Sequence, residues 1–523
     1  MIGRQMGTDS TRRGLDNMTH GRMQTMTQGR DGISLAPVGA LRLMGVARRL
    51  SVVAAMFVIA ALVTGTARTG YAQTDVKTKK DAHHHKGAVL LDNVTVTNYG
   101  SAFGGSLATF AAGRGPGDAP RLLVKGTNTL LGSGTGPAGV SMSSDPTDGH
   151  TAVSIPIDLL DLTGFGAPVG APAAGTGFAE IFSPGADKNT VPESIIGTRN
   201  VAFLAFNTSG VNTPQAVAFE SPFDGINPGH SIVAIGNTLP ISFGPVDADL
   251  ACGAFGGFTV GTITEFDTKT LNVGSPGFND GVAPFNNSPV CTNPCVATGT
   301  CPNPPGPFVC PAPNVGNATI GGCDTFLLGP IGLAFDSFGF LFAVNEAGVA
   351  SGGPGFVTVY LPGAFGDSFP FAIVGLVPPT AGAFVNPAKV TVLSPDTDFL
   401  DDIMFVTDVG DNSIKVFAPF TNGCESAPNF FCAGTELGVI HGGSTKLKRP
   451  EGVAVNEADD ALYVVNNLSN TLEMFSDIES DEGGGNIPPT LIVQGRNTKL
   501  NFPVDVAVQN QFTPTPMPTD EAR

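Results

Sequence analysis

Short apolar runs separated by polar turns fill the chain from about Val89 to Gln509. Within the runs apolar and polar positions alternate with period two, the period of a strand with one buried face. Three segments show the same order of runs: GPIGLAFDSFGFLFAVNEAG from Gly329, NPAKVTVLSPDTDFLDDIMFVTDVGDNSIKVF from Asn386, and RPEGVAVNEADDALYVVNNLSNTLEMF from Arg449. Each opens on a proline and a first strand. A polar turn follows, then a second strand ending in Asn or Asp. In its full form the pattern closes with a third strand ending on an aromatic.

The opening element occurs six times, at Pro137, Pro214, Pro330, Pro387, Pro450 and Pro503, and the closing aromatic six times, at Phe110, Phe182, Phe266, Tyr360, Phe417 and Phe475. A connecting element repeats as well: APRLLVKGTNTLL (Ala119–Leu131) matches PPTLIVQGRNTKL (Pro488–Leu500) almost residue for residue. The first closing element precedes any opening element, and the last opening element has no strands after it. The two ends complete one another if the C-terminal strand joins the N-terminal strands, which leaves no raw sheet edge. The pattern therefore predicts an all-β fold: a six-bladed β-propeller of four-stranded blades, its ring closed between the termini. Successive openings lie 77, 116, 57, 63 and 53 residues apart, more than the roughly 40–50 residues of a compact blade. The excess falls in loops, the largest a Cys-, Pro- and Asn-rich insertion at about 268–329.

Composition agrees with strands and turns. Of 523 residues, 69 are Gly and 42 Pro, which helix interiors do not tolerate in that number. There is no three-residue glycine period, so collagen is excluded. With 41% apolar and only 14% charged residues, the chain has enough apolar surface to form a core.

Residues 1–72 read differently. Arg48 and Arg49 precede the uncharged stretch Leu50–Ala67, and Gly70-Tyr71-Ala72 places small residues before a cut after Ala72. This is the order of regions in a secretory signal peptide, and a start at Met44 would give it a conventional length. Residues 73–88 then form a Lys-rich linker, 89–509 the propeller, and 510–523 a disordered Pro/Thr tail. Removing residues 1–72, with nine Arg and three Asp, takes the formal net charge from −18 to −24. So acidic a molecule repels phosphate backbones, which excludes nucleic acid as a partner. No later segment is long and apolar enough to cross a membrane. The expected location is secreted or periplasmic, and the expected state a monomer.

All eight cysteines follow the signal, in an exported chain where an even count reads as disulfides. Cys424 and Cys432 form a close pair. Cys252, Cys291, Cys295, Cys301, Cys310 and Cys323 cluster apart from them, and sequence leaves their fifteen pairings open. CxxC and CxxCH are absent, which removes zinc-ribbon, thioredoxin and c-type haem chemistry.

The P-x-G-V-A-V opening (Pro450–Val455), the L-Y-V-V-N second strand (Leu462–Asn466) and the T-L-E-M-F third strand (Thr471–Phe475) resemble the NHL-repeat family of β-propellers, of the secreted bacterial type. Family blades carry D-x-x-G between the first two strands. Asp336-Ser337-Phe338-Gly339 keeps it, while the next blades have Ser394-Pro395-Asp396 and Asn456-Glu457-Ala458-Asp459. The resemblance extends at fold level to gluconolactonase-like enzymes and streptogramin lyases, and for the lyases it implies a polar centre with a metal and a catalytic His. Fold alone does not fix activity.

In a propeller, the start of strand one and the end of strand two share a face around the channel. That places Asn345, Glu346, Asp408, Asp411, Asn466, Asn467, Glu451 and Asp505 on one mouth. Such a ring of oxygens suits Ca²⁺ or another divalent cation, and Asn345, Glu346, Asp408, Asn466 and Asp505 are the candidate ligands. The alternative is that these residues satisfy backbone groups of their own turns. The acidic turn with Asp396, Asp398, Asp401 and Asp402 is a second candidate cation site, although it lacks EF-hand spacing. His83, His84 and His85 fall in the linker. His150, His230 and His441 are the histidines of the fold, and none lies in an opening element. P-loop, GxGxxG and GxSxG motifs are absent. With no Trp and four Tyr, stacking on sugars is disfavoured. No catalytic residue and no organic cofactor is assigned. The sequence supports three functions: a scaffold binding a protein or surface ligand through channel-face loops, a metal-dependent lyase or lactonase, and a structural cell-envelope protein.

Overall fold

The computed structural model describes residues 93–509, apart from 158–175, 199–210, 221–231, 239–260, 268–318, 421–431 and some shorter stretches. Among the described residues the regular secondary structure is almost all strand, with two short 3-10 turns at Phe399–Asp401 and Arg496–Thr498. The first blade holds β1 (Asn93–Asn98), β2 (Ser106–Ala111) and β3 (Leu122–Val124). The second holds β4 (Gly139–Met142), β5 (Thr151–Ile157), β6 (Thr176–Phe182) and β7 (Ser194–Thr198). The third holds β8 (Pro214–Phe219), β9 (Ile232–Asn237), β10 (Thr262–Asp267) and β11 (Thr319–Ile320). The fourth holds β12 (Pro330–Phe335), β13 (Leu341–Asn345), β14 (Phe356–Tyr360) and β15 (Ala372–Val374). The fifth holds β16 (Pro387–Leu393), β17 (Ile403–Asp408), β18 (Ser413–Ala418) and β19 (Thr435–Ile440). The sixth holds β20 (Pro450–Asn456), β21 (Ala461–Asn466), β22 (Thr471–Ser476) and, after the two-residue β23 (Gly484–Gly485), β24 (Leu491–Val493). The last strand, β25 (Pro503–Val508), completes the first blade.

The fold is a six-bladed β-propeller. In five sheets the four strands follow sequence order, and in the first the order is β25-β1-β2-β3, the expected closure between the termini. Val94 faces Val508 and Thr97 faces Asp505 across that seam. The inner strands pack in a closed circuit: β25 on β4, β4 on β8, β8 on β12, β12 on β16, β16 on β20, and β20 on β25. One departure from four strands is the fifth blade, where Gly484 and Gly485 of β23 pair in parallel with Val439 and Ile440.

The core follows from this geometry. Each blade is apolar on both faces, so six apolar clusters form, one at every junction between neighbours. The junction of blades four and five is the most aromatic. Phe342, Phe384, Phe417 and Phe420 are each no more than 2% exposed there. Phe340 stacks on Phe399 at 5.3 Å between ring centroids. Burying each such ring contributes about 1.5–3 kcal/mol. Cys432 belongs to this cluster, and its carbonyl accepts from Ile373 N of β15 at 2.8 Å.

The opening prolines have a common role. In five blades the register shifts at the start of the inner strand, as between Pro330 and Gly332 or Pro450 and Val453. Proline has no N–H to lose at a strand's first residue, and a bulge beside it re-aims the next peptide. The residue before the proline takes a positive φ in five of the six copies: Gly136, Thr213, Gly329, Arg449 and Phe502. The repeated connecting element is also explained. Thr129, Thr445 and Thr498 each donate from Oγ1 to the carbonyl three residues earlier, of Gly126, Gly442 and Gly495, at 2.7 Å. The next residue, Leu130, Lys446 or Lys499, is left-handed with φ near 60°. This turn carries the chain from an outer strand back to the next inner strand.

Candidate functional site: the channel and its two mouths

Strand pairing brings the candidate ring residues to one mouth. Pro330 faces Asn345, Pro387 faces Asp408, and Pro450 faces Asn466. The oxygens of those side chains are committed to backbone N–H groups. Asn345 Oδ1 accepts from Leu328 N at 2.8 Å, and Asn466 Oδ1 from Lys448 N at 2.8 Å. Asp408 accepts from Val385 N at 2.7 Å, Asn386 N at 2.8 Å and Gly410 N at 3.0 Å. Asn98, which the sequence reading did not single out, does the same for Asn501 N at 3.0 Å. In all four the residue at the end of the second strand clips the peptide two places before the opening proline. All four side chains are at most 1% exposed, so these bonds satisfy polar side-chain atoms that are buried away from water. Glu346 is exposed at the rim, as is Asp411, which pairs with Lys415 Nζ at 2.6 Å. Asn467 donates to Pro503 O at 3.3 Å. Among the described residues, no three His, Cys, Asp or Glu side chains are arranged to hold a metal ion.

The centre of the ring is occupied by a residue that the sequence did not reveal. Lys389, at the third position of β16, projects across the channel waist and is 7% exposed. Its Nζ donates to Ile331 O at 2.6 Å and Gln215 O at 2.8 Å, and lies 3.6 Å from Asp505 Oδ2. Ile331 and Gln215 directly follow opening prolines, so the bulges turn their carbonyls to the axis. The other third positions, except Asp505, are Gly139, Ala216, Gly332 and Gly452, which keeps the waist narrow. A Cβ on Gly452 would come within 2.5 Å of Asp505 Cα. Asp505 also accepts from Val140 N at 3.1 Å and Val506 N at 2.9 Å. Burial pushes the Lys389 ammonium below the usual lysine range, opposed by the Asp505 and Glu451 carboxylates. Burial likewise raises Asp505, opposed by Lys389. Glu451 is raised by burial against the pull of Arg449, whose Nε lies 2.8 Å away. A divalent cation coordinated by Asp505 would have to displace this ammonium, so the waist as folded does not fit the metal centre that the lyase resemblance implies.

The opposite mouth carries a second acidic group. Asp336 follows β12, Asp402 precedes β17, and Glu457 follows β20, so three consecutive blades contribute. Asp336 Oδ1 accepts from Phe338 N at 2.9 Å and Phe340 N at 2.8 Å, the bonds that close its D-x-x-G turn. Glu457 Oε1 accepts from Ser394 N at 3.1 Å. Asp336 Oδ2 and both oxygens of Asp402 face no N–H donor. Asp402 is 1% exposed. Burial, reinforced by the Asp336 charge, pushes Asp402 up to about 9. Asp336 rises to about 6 and Glu457 to about 7, both chiefly through burial. Two carboxyl groups placed this way share a proton between them at neutral pH. Asp401 of the same acidic turn is exposed, and Asp396 and Asp398 lie outside the described residues.

Of the histidines, His150 Nε2 lies 2.8 Å from Glu193 Oε2 on the second blade, and His441 is exposed in its connecting turn. His230 and the linker histidines lie outside the described residues. So do Cys252, Cys291, Cys295, Cys301, Cys310, Cys323 and Cys424, while Cys432 is buried and is not a free thiol. Among the described residues no helix is long and apolar enough to cross a membrane.

No family model matches the chain, and no curated protein is similar to it in sequence. Solved structures do align. The nidogen/laminin complex aligns over 80% of this chain and 98% of that one, at 9% identity and a TM-score of 0.40. The periplasmic gluconolactonase of Pseudomonas aeruginosa aligns over 80% and 99%, at 15% identity and 0.38. A putative 6-phosphogluconolactonase of Bacteroides fragilis aligns over 80% and 98%, at 13% and 0.36. Likeness this slight adds nothing to what the sheets themselves show.

Proposed function

We propose that this chain is a secreted or periplasmic propeller of the NHL-like type that binds a protein or surface ligand through the turns of its channel face. The observation that carries this reading is Lys389. It fills the channel waist with the chain's own ammonium, while the turns around the same mouth stay exposed. Small-molecule sites are concave pockets with a few convergent polar groups, and here the axial polar groups are committed to one another in an ion pair. Turns held on a rigid scaffold are the usual site of recognition.

The leader at residues 1–72, the linker at 73–88 and the tail at 510–523 fit an exported protein. A Cys424–Cys432 bridge fits the same compartment. N-terminal sequencing of the exported protein is expected to begin at Gln73.

The lyase or lactonase reading is tested on the same material. Purified mature protein, with and without added Ca²⁺, Mg²⁺ or Zn²⁺, is expected to leave lactones and streptogramin-type cyclic esters intact. Turnover lost on Asp505→Asn would overturn the scaffold reading.

A further inference from the structure

The geometry points to a docking surface for an acidic, apolar-bearing polypeptide segment on the channel face where blade six meets blade one. This rests on the scaffold reading and names the chemistry of its partner.

Three large apolar side chains on adjoining turns are exposed there: Leu468 at 63%, Tyr99 at 44% and Phe502 at 42%. They are neighbours through the backbone. Tyr99 N donates to Phe502 O at 3.1 Å, and Phe502 N donates to Asn470 Oδ1 at 2.6 Å, two residues beyond Leu468. These bonds tie the three turns to one another. Phe502 is one of the left-handed residues before an opening proline, a position filled elsewhere by glycine, threonine or arginine.

Lysines border the apolar group. Lys446, Lys448 and Lys499 are exposed and form no ion pair among the described residues. Lys446 and Lys499 occupy the same left-handed site in two successive connecting turns, each fixed by its threonine. Those turns run inward from an outer strand to an inner one, so Lys499 stands outside Phe502. The nearby carboxylates do not cancel this charge. Glu451 is taken by Arg449, and Glu473, which faces Lys446 and Lys448, is raised by burial to about 7 and offsets only part of their charge.

A local cationic rim on a chain of net charge −18, more acidic still without residues 1–72, selects among partners. Charge beyond about 8 Å is screened at physiological salt, so a narrow acidic segment feels the lysines more than the distant carboxylates. A flat anionic membrane would meet the whole acidic molecule. The segment's apolar side chains would pack on Leu468, Tyr99 and Phe502, the contacts that dominate recognition energetics.

The test uses the mature protein and a fluorescein-labelled peptide of repeating Glu-Glu-Phe, read by anisotropy. Saturable binding is expected, weakening with added salt. It should weaken at least about tenfold in Leu468→Ser/Phe502→Ser and in Lys448→Glu/Lys499→Glu, since each change removes one half of the complementarity. Both variants alter exposed residues and should unfold at the wild-type temperature. Absence of saturable binding, equal binding of a Lys-Lys-Phe peptide, unchanged binding by either variant, or preference for phosphatidylglycerol vesicles would each overturn the inference. None of these outcomes bears on the scaffold reading, which stands or falls with lactone and ester turnover.

Discussion

Lys389 of the fifth blade and Asp505 of the first meet across the channel with Nζ and Oδ2 3.6 Å apart, though 116 residues separate them in the chain. The pair joins the last strand of the sequence to the far side of the ring. Lys389→Met leaves the Asp505 carboxylate and two axial carbonyls facing an alkyl chain. The cost should be about 3–5 kcal/mol, because a buried charge is left without its partner. Replacing both residues, as Lys389→Met/Asp505→Leu, should recover much of it. Urea unfolding of the single and double variants measures the coupling, and additive losses would show that the pair does not act as a unit.

The shared proton at the opposite mouth predicts a pH dependence of stability. Asp402 is raised in the folded state to about 9, well above an unfolded aspartate. The folded chain therefore holds more protons than the unfolded one between about pH 4 and 9, so stability falls as pH rises through that window. Asp336 and Glu457 add to the slope up to about 6 and 7. Asp402→Asn should flatten the profile and stabilise the protein most at its alkaline end. Thermal melts across the window check this, and a wild-type profile rising with pH would refute it.

The clip residues predict stability without metal chemistry. Asn466→Ala frees Lys448 N, and Asp408→Ala frees three backbone amides. Losing the neutral bond costs about 0.5–1.5 kcal/mol, and losing a bond to the Asp408 carboxylate about 1.5–3 kcal/mol. The double variant should melt well below wild type, with the metal content of the dialysed protein unchanged. A stoichiometric divalent ion lost in the variant would instead restore the cation-site reading.

Closure between the termini predicts an all-or-none effect of a short truncation. Ending the chain at Phe502 removes β25, exposes the edge of β1 and opens the circuit of inner strands. The expected product is aggregated or unfolded, since an unpaired edge templates association. Supplying residues 503–523 as a peptide should restore solubility. A soluble truncated monomer with a native melt would contradict closure as the source of stability.

The core at blades four and five gives a packing test. Phe417 is fully buried between Phe384 and the facing strands, and Phe417→Ala should cost about 3–5 kcal/mol. Chemical unfolding measures it.

The architecture was legible because repetition is written in the chain. The six openings and six closing aromatics map onto the first and third strands of all six blades, and their offset placed β25 beside β1. The turn chemistry was half legible. The Gly and Thr of the connecting element could be read as a repeat, but the Thr hydroxyl bond and the left-handed residue after it had to be seen. Asn345, Asp408 and Asn466 were assignable to one mouth, since strand direction alone puts them there. Whether their oxygens face a cation or a backbone N–H depends on angles that no residue pattern carries.

Lys389 shows the limit most clearly. In sequence it is one lysine in a strand of alternating residues, where a solvent-facing charge is the ordinary expectation. Only the ring turns that position inward, and only there do Gln215, Ile331 and Asp505 come within its reach. Local hydrophobic period and turn residues act over a few neighbours, so the sequence by itself determined the strands, the blades and their number. The axial ion pair, the paired acids of Asp336 and Asp402, and the exposed Leu468–Phe502–Tyr99 group each join residues from different blades. The tertiary structure decided these, because contacts between distant segments exist only once the ring has closed.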